Sequence, residues 1–438
     1  MNPSTEPTTS NSETLVFPLT DPEGFRRRAL AWAEQWSLIC YLDSNQDRHT
    51  RYQSYEALLA VGESRELIVE RPEGAFEKLR KFHDEADGWL FGFMGYDLKN
   101  DVERLRSANF DGIGMPELHF FQPEIVFEFN LHSVRISAPA AWAERTYREI
   151  LRYEIDLPVL RYGGNRPLRA RVAREEYLDV VNRIREHIAA GDIYEMNYCQ
   201  EFFHDDYETN PLFLFFQLNA VAAAPFSAFY RLRDRYLLCA SPERFLKKEG
   251  TRLISMPIKG TAPRSQDRSE DIQLRDALFH SEKDRAENVM IVDLVRNDLA
   301  KSSYPGSVRV EELFGIYSFP QVHQMISTVS GVLRPEVHPV DALRRAFPMG
   351  SMTGAPKVMA MELIERYEAT KRGLYSGAVG YISPGGDFDF NVVIRSLLYH
   401  RSNGYLSSHV GGAIVYDSVA EREYEECQVK LRTVQSVV

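Results

Sequence analysis

Apolar positions along this chain fall mostly into short runs of strand length, set among longer stretches with helical spacing. In the first part, runs at 38–43, 89–96 and 123–129 read as strands between acidic helical segments. Residues 161–171 are basic and carry Gly163, Gly164 and Pro167, so they read as a linker. The second part opens on a helix, because Tyr177, Val181, Ile184 and Ile188 form one apolar stripe and Gly191 supplies a stop. Strands are predicted at 226–231, 236–240, 376–382, 388–398 and 405–414, and helices at about 281–299, 356–367 and 419–434. These elements arrive in blocks rather than in strict βα alternation. The fold class expected is therefore α+β with antiparallel sheets.

Composition sharpens this picture. The chain has 438 residues, 44% of them apolar, enough for one large or two interlocked domains. Its 25 Phe, 22 Tyr and 4 Trp suit pleated, half-buried surfaces. The beginning of the chain is rich in Ser, Thr, Pro and Asn and has no apolar signal core. We expect a disordered tail over 1–14, an N-terminal domain over 15–165 and a second domain over 166–438. The net charge of −11 argues against nucleic-acid binding, and a small anionic substrate would need a local basic pocket. No apolar run is long enough to cross a membrane. Cys40, Cys199, Cys239 and Cys427 are widely spaced, which indicates neither a zinc site nor a disulfide framework and fits the cytoplasm.

Several stretches could carry chemistry. Asp284 and Glu287 share one helix face, and Glu423 and Glu426 repeat that spacing on the last helix, with Lys430 one turn later. Brought together, the two pairs would offer hard oxygen ligands to Mg²⁺; apart, they are solvated helix faces. Met349 to Lys357 runs through Gly350, Ser351 and Gly354 into a helix with Pro356 in its first turn, and is an anion-binding approach or an ordinary tight turn. Gly411, Gly412 and Ala413 offer the same choice. Lys259, between Pro257-Ile258 and Gly260-Thr261, is a solvated charge or a desolvated amine of lowered pKa able to act as a nucleophile. Glu243 is a general acid or the ion-pair partner of Arg244, the pair being favoured from the residues alone. Arg395, inside an apolar strand-like run, demands an anionic partner.

Taken together, the blocks Ser241–Phe245, Pro257–Thr261, Glu287–Leu299, Phe347–Ile364, Arg372–Arg395 and Gly411–Lys430 resemble the chorismate-binding enzymes. That family includes the large subunits of anthranilate synthase and aminodeoxychorismate synthase, isochorismate synthase and salicylate synthase. The resemblance runs from about Arg174 to the C-terminus. It implies large antiparallel sheets packed as a sandwich with helices outside, the second domain being the catalytic one.

It also implies roles, position by position. Glu287 and Glu426 match the direct Mg²⁺ ligands, and Asp284 and Glu423 the outer shell. Arg395 and Tyr375 match residues holding the enolpyruvyl carboxylate; Ser351, Ala413 and Lys430 match those around the ring carboxylate, with Gly411 and Gly412 beside them. Glu243 matches the general acid. Anthranilate synthases resemble Pro-Ile-Ala-Gly-Thr where this chain has Lys259, whereas lysine there is similar to the aminodeoxychorismate synthases, which implies covalent attack on chorismate and then addition of ammonia. Many members carry His where this chain has Gln324, a residue linked to enolpyruvate elimination in anthranilate synthase; the role of neighbouring His323 stays open. No Gly-Cys-Gly elbow is present, so a separate glutaminase subunit is the expected ammonia source. The alternatives are anthranilate synthase or a catalytically idle chorismate-binding subunit. In the N-terminal half, Leu42-Asp43-Ser44 takes the place of the Leu-Glu-Ser segment at the tryptophan site of anthranilate synthase; whether tryptophan binds stays open.

Overall fold

The computed structural model describes residues 12–46, 52–156, 166–319 and 322–438. Two antiparallel sheets stack face to face between outer layers of helix. The twelve-stranded sheet runs in the order Ser12–Pro18, Ser133–Pro139, Ile125–Phe129, Ala57–Val61, Leu38–Asp43, Phe226–Leu232, Arg235–Ser241, Ser396–His400, Tyr405–Ile414, Glu195–His204 and Gly354–Ala355, with Arg169–Ala170 also on Glu195–His204. The ten-stranded sheet runs Ile258–Pro263, Val322–Val332, Arg252–Met256, Arg244–Glu249, Phe388–Asn391, Ala378–Ile382, Leu90–Met94, Leu118–Gln122 and Arg65–Val69, with Arg309–Ser318 also on Val322–Val332.

Strand alternation builds the layers. In Leu38–Asp43, Leu38 and Cys40 face the other sheet while Ile39 and Tyr41 face a helical layer, which explains a run that is apolar on both faces. Leu90–Met94 does the same from the other sheet, with Phe91 and Phe93 in the inter-sheet core and Leu90 and Met94 toward helices. A fully buried phenylalanine of this kind contributes about 1.5–3 kcal/mol. Both sheets mix strands from before and after residue 165, so the two halves share their cores. The boundary expected there lies partly outside the described residues, and so does much of the expected linker. Of the expected tail, residues 12–14 belong to the strand Ser12–Pro18 rather than to a tail.

The second half follows its pattern closely. Arg174–Ala190 is a helix, ended by Gly191 at φ +85, where a side chain would be strained. Pro356 sits one residue outside its helix, as the cap of Lys357–Tyr367. The run 388–398 departs from expectation. Phe388–Asn391 belongs to one sheet and Ser396–His400 to the other, and the chain crosses between them at Arg395, whose φ is +53. Arg395 is therefore at a strained crossing, not inside a strand.

Candidate active site

The site gathers at one end of the sandwich, where Ile258–Pro263 approaches the start of Glu195–His204. Lys259 is 9% exposed, and its Nζ lies 2.8 Å from Oε1 of Glu195, itself 2% exposed. Burial works to lower the lysine pKa. Glu195 outweighs it, with Glu287 and Glu243 adding to the pull, and the net shift is upward. The sequence left a solvated charge or a desolvated amine open; the lysine is desolvated, and the buried carboxylate in contact stabilises its ammonium form. Gly260 follows at φ +90, with a would-be Cβ only 3.0 Å from Asp284 Cβ and Oδ1. Glycine is thus required there by backbone and by the close approach of the helix Glu282–Ala300.

Glu243 faces this lysine. Its pKa is pushed up to about 7 by burial, against the opposing pull of the Ser351 hydroxyl, Lys259 and the Ile258 amide. The ion pair with Arg244 is not formed. Arg244 opens the strand Arg244–Glu249 and forks onto Asp389 of the neighbouring strand, with Nε–Oδ1 at 2.9 Å and Nη2–Oδ2 at 3.0 Å, while Glu243 lies in the link just before it. Glu243 is left as a half-protonated acid near neutral pH. Ser351 is 7% exposed in the turn Gly350–Met352 and serves this carboxylate.

The acidic pairs come from the helices Glu282–Ala300 and Ala420–Gln435. Lys283 Nζ lies 3.8 Å from Glu287 and 4.0 Å from Glu423, bridging the two helices. Burial raises Glu287 to about 7, Lys259 and Lys283 opposing. Burial also raises Glu423, which accepts a 2.7 Å bond from Ser418. In Glu426 burial loses to Lys430, whose Nζ is 2.7 Å away, and the carboxyl stays below its usual range. A Cβ on Gly412 would stand 3.5 Å from Glu423, 3.6 Å from Glu426 and 3.7 Å from Lys430, so glycine keeps this cradle open. Asp284 stands at the Gly260 end. Among the described residues, no three of these four carboxylates have ligand atoms mutually within 4.8 Å.

Gly411, Gly412 and Ala413 are not a turn; they lie within Tyr405–Ile414, paired with Cys199, Tyr198 and Asn197. The Gly411 carbonyl turns outward to accept Lys430 Nζ at 2.7 Å. One residue's N–H and C=O share a side of a strand, so the amides of Gly411 and Ala413 face away from Glu195–His204. Nearby, the guanidinium of Arg395 makes no ion pair among the described residues; burial lowers its pKa, and Tyr375 and Glu426 are the groups acting on it. Tyr375 stacks on His409 at 5.1 Å and meets Cys199 Sγ at 3.6 Å. A half-buried guanidinium with no ion pair among the described residues, near outward-facing amides, offers donors suited to an anion.

Sequence reasoning missed the frame behind these groups. The guanidinium of Arg372 holds Glu368 by bonds of 2.6 and 2.9 Å and also reaches the carbonyls of Met352 and Asn197. The Met349–Lys357 stretch is thereby locked onto Glu195–His204, and Glu195 pairs with Ala355. Glu195 itself was also missed. His323, whose role was open, is 1% exposed between Ser318 Oγ at 2.8 Å and Asp271 at 3.0 Å, a packing role. Gln324 pairs with Thr261, on the Lys259 strand.

Two other clusters lie apart. Leu42, Asp43 and Ser44 line a cavity between the sheets with Glu56, Arg244 and Asn391. His83, Asp84 and His338 have ligand atoms within 4.8 Å of one another. His338 Nδ1 accepts the Val340 amide at 3.1 Å, so its Nε2 carries the proton and donates to Asp84 at 2.9 Å, which opposes a metal there.

A buried lysine among carboxylates, with an arginine near Glu426 that makes no ion pair among the described residues, fits the family match. The chorismate binding enzyme model covers residues 28–436, and the chain belongs to this family. It is 37% identical over 363 residues to anthranilate synthase component 1 of Thermus thermophilus, covering 80% of this chain and 77% of that protein. It is 36% identical over 383 residues to aminodeoxychorismate synthase component 1 of Escherichia coli, covering 85% and 83%. The crystal structure of anthranilate synthase component I from Streptococcus pneumoniae superposes with a TM-score of 0.74 at 28% identity, covering 89% and 95%.

Proposed function

We propose that this chain aminates chorismate to 4-amino-4-deoxychorismate, as the component that works with a separate glutaminase. Overall identity does not choose between the two family branches, at 37% and 36%. The observation that carries the reading is Lys259, buried between Glu195 and Glu243 where the anthranilate synthases resemble alanine. Gln324 agrees, because an amide cannot act as acid or base in removing enolpyruvate.

The residues divide the work. Arg395, with Tyr375, holds one substrate carboxylate, and the amides of Gly411 and Ala413 with Lys430 receive the other. Glu287 and Glu426, backed by Asp284 and Glu423, would hold Mg²⁺. Their hard oxygens, the open cradle at Gly412 and a lysine ammonium already lodged between Glu287 and Glu423 fit a cation. When bound, the ion supplies charge neutralisation of the ring carboxylate and draws electron density toward it. Lys259 attacks position two while Glu243 protonates the departing position-four hydroxyl. Ammonia then bonds at position four and expels the lysine.

The test compares Lys259→Arg with Lys259→Ala. Guanidinium keeps the charge but does not deprotonate in proteins. Both variants should be inactive, and wild type with chorismate but no ammonia should gain a lysine-linked mass. An active arginine variant with no adduct in wild type would defeat covalent catalysis.

A further inference from the structure

Lys259 rests as an ammonium, and an ammonium has no lone pair with which to attack. Its proton must go to a neighbouring group before the Nζ–C2 bond can form. Four carboxylates act on it: Glu195 in contact, and Glu287, Glu243 and Glu426 at longer range, the last already paired with Lys430. Glu243 must arrive protonated to serve the leaving hydroxyl, and Glu287 faces Lys283 and the cation cradle. Only Glu195 is without another task.

Its surroundings differ from those of Glu201 and Glu368, two other buried glutamates. Glu201, six residues along the same strand, is saturated: Oε1 accepts Tyr405 and Ser407 at 2.8 Å each and Oε2 accepts Arg171 at 3.0 Å. Glu368 is held on both oxygens by Arg372 and also accepts the Cys199 amide. Glu195 Oε1 touches Lys259, and Oε2 is buried with no hydrogen-bond partner among the described residues. Both oxygens of Glu201 and Glu368 are thus already engaged by donors, whereas Glu195 meets the lysine on one oxygen and keeps the other open to accept a proton.

We propose that Glu195 is the proton acceptor that activates Lys259, a positioning residue acting through the lysine. The inference rests on the covalent role of Lys259. In the first half-reaction the Nζ proton passes to Glu195, and the freed pair forms the Nζ–C2 bond. The two conjugated ring double bonds shift, and the C4–O bond breaks as Glu243 gives its proton to the hydroxyl, releasing water. In the second, ammonia bonds at C4, the double bonds shift back and the C2–Nζ bond breaks with its pair returning to nitrogen. Lys259 then retrieves its proton from Glu195, and the ammonium ion that supplied ammonia returns one to Glu243.

The experiment reads adduct formation by intact-protein mass, with chorismate and Mg²⁺ but no ammonia. Glu195→Gln keeps shape and an acceptor for the lysine but cannot take its proton, so the adduct should form about a hundredfold more slowly, within the span of general base catalysis. Glu195→Ala should be equally slow, and formate entering the vacated space should restore the rate at least about tenfold, a recovery that a purely structural role would not give. Adduct formation in Glu195→Gln at the wild-type rate, or an alanine variant that formate leaves unchanged, would overturn the proposal. Absence of adduct in wild type would instead remove the covalent mechanism itself, so the two failures are distinguishable.

Discussion

Arg244 grips Asp389 through two parallel bonds of 2.9 and 3.0 Å, and by doing so leaves its chain neighbour Glu243, in the link before the strand, to Ser351 and Lys259. A bidentate pair of this kind is strong and directional. The freed carboxyl carries the pH behaviour expected of the enzyme. Burial first, opposed by Ser351 and Lys259, sets Glu243 at about 7, and its working form is the protonated one. Turnover should therefore fall as pH rises through about 7, and Glu243→Gln should lose about 10²–10⁴-fold with that limb of the profile gone. A steady-state pH profile of both proteins checks this; an unchanged limb in the variant would assign it to another group.

Glu426→Gln should leave the fold intact and cut turnover, with a higher Mg²⁺ concentration needed for half-maximal rate. The change removes a ligand charge beside Lys430 rather than core packing. Chelation should abolish activity in wild type. The check is a Mg²⁺ titration alongside circular dichroism, and wild-type Mg²⁺ dependence in the variant would remove Glu426 from the metal set.

Arg395 has no ion pair among the described residues, so its charge is available to substrate. A hydrogen bond to a charged group contributes about 1.5–3 kcal/mol, so Arg395→Ala should raise KM for chorismate roughly 10–150-fold. Because the residue sits at the sheet crossing with φ +53, thermal unfolding should be followed in parallel.

The buried Glu368–Arg372 pair should behave as a structural element. Removing one partner leaves an uncompensated charge, so Arg372→Met should cost about 3–5 kcal/mol. Denaturant unfolding measures this, and the double variant Glu368→Gln/Arg372→Met should recover part of the loss.

Much of this was legible in the sequence, for local reasons. The helix at Arg174–Ala190 announced itself by its stripe and by Gly191, and the strand at Leu38–Asp43 by its apolar run. Helical spacing paired Asp284 with Glu287 and Glu423 with Glu426. What escaped depended on distant chain. Arg244 looks like the partner of Glu243 until Asp389 arrives from another strand. The run 388–398 is rich in apolar residues whether it stays in one sheet or crosses between two, so the pattern does not locate the break at Arg395. Glu195 is sixty-four residues from Lys259, with no spacing rule to join them. A signal existed, however: a carboxylate such as Glu195 or Glu201 within the strand-like run of residues 195–204 needs a partner, the reasoning already applied to Arg395.

The central claim is the product. Purified protein with chorismate, Mg²⁺ and high ammonia should accumulate a compound in which an amine replaces the position-four hydroxyl and the enolpyruvyl group is retained, read directly by mass spectrometry. A separate lyase should convert it to 4-aminobenzoate. Anthranilate as the main product, with pyruvate released, would contradict the account.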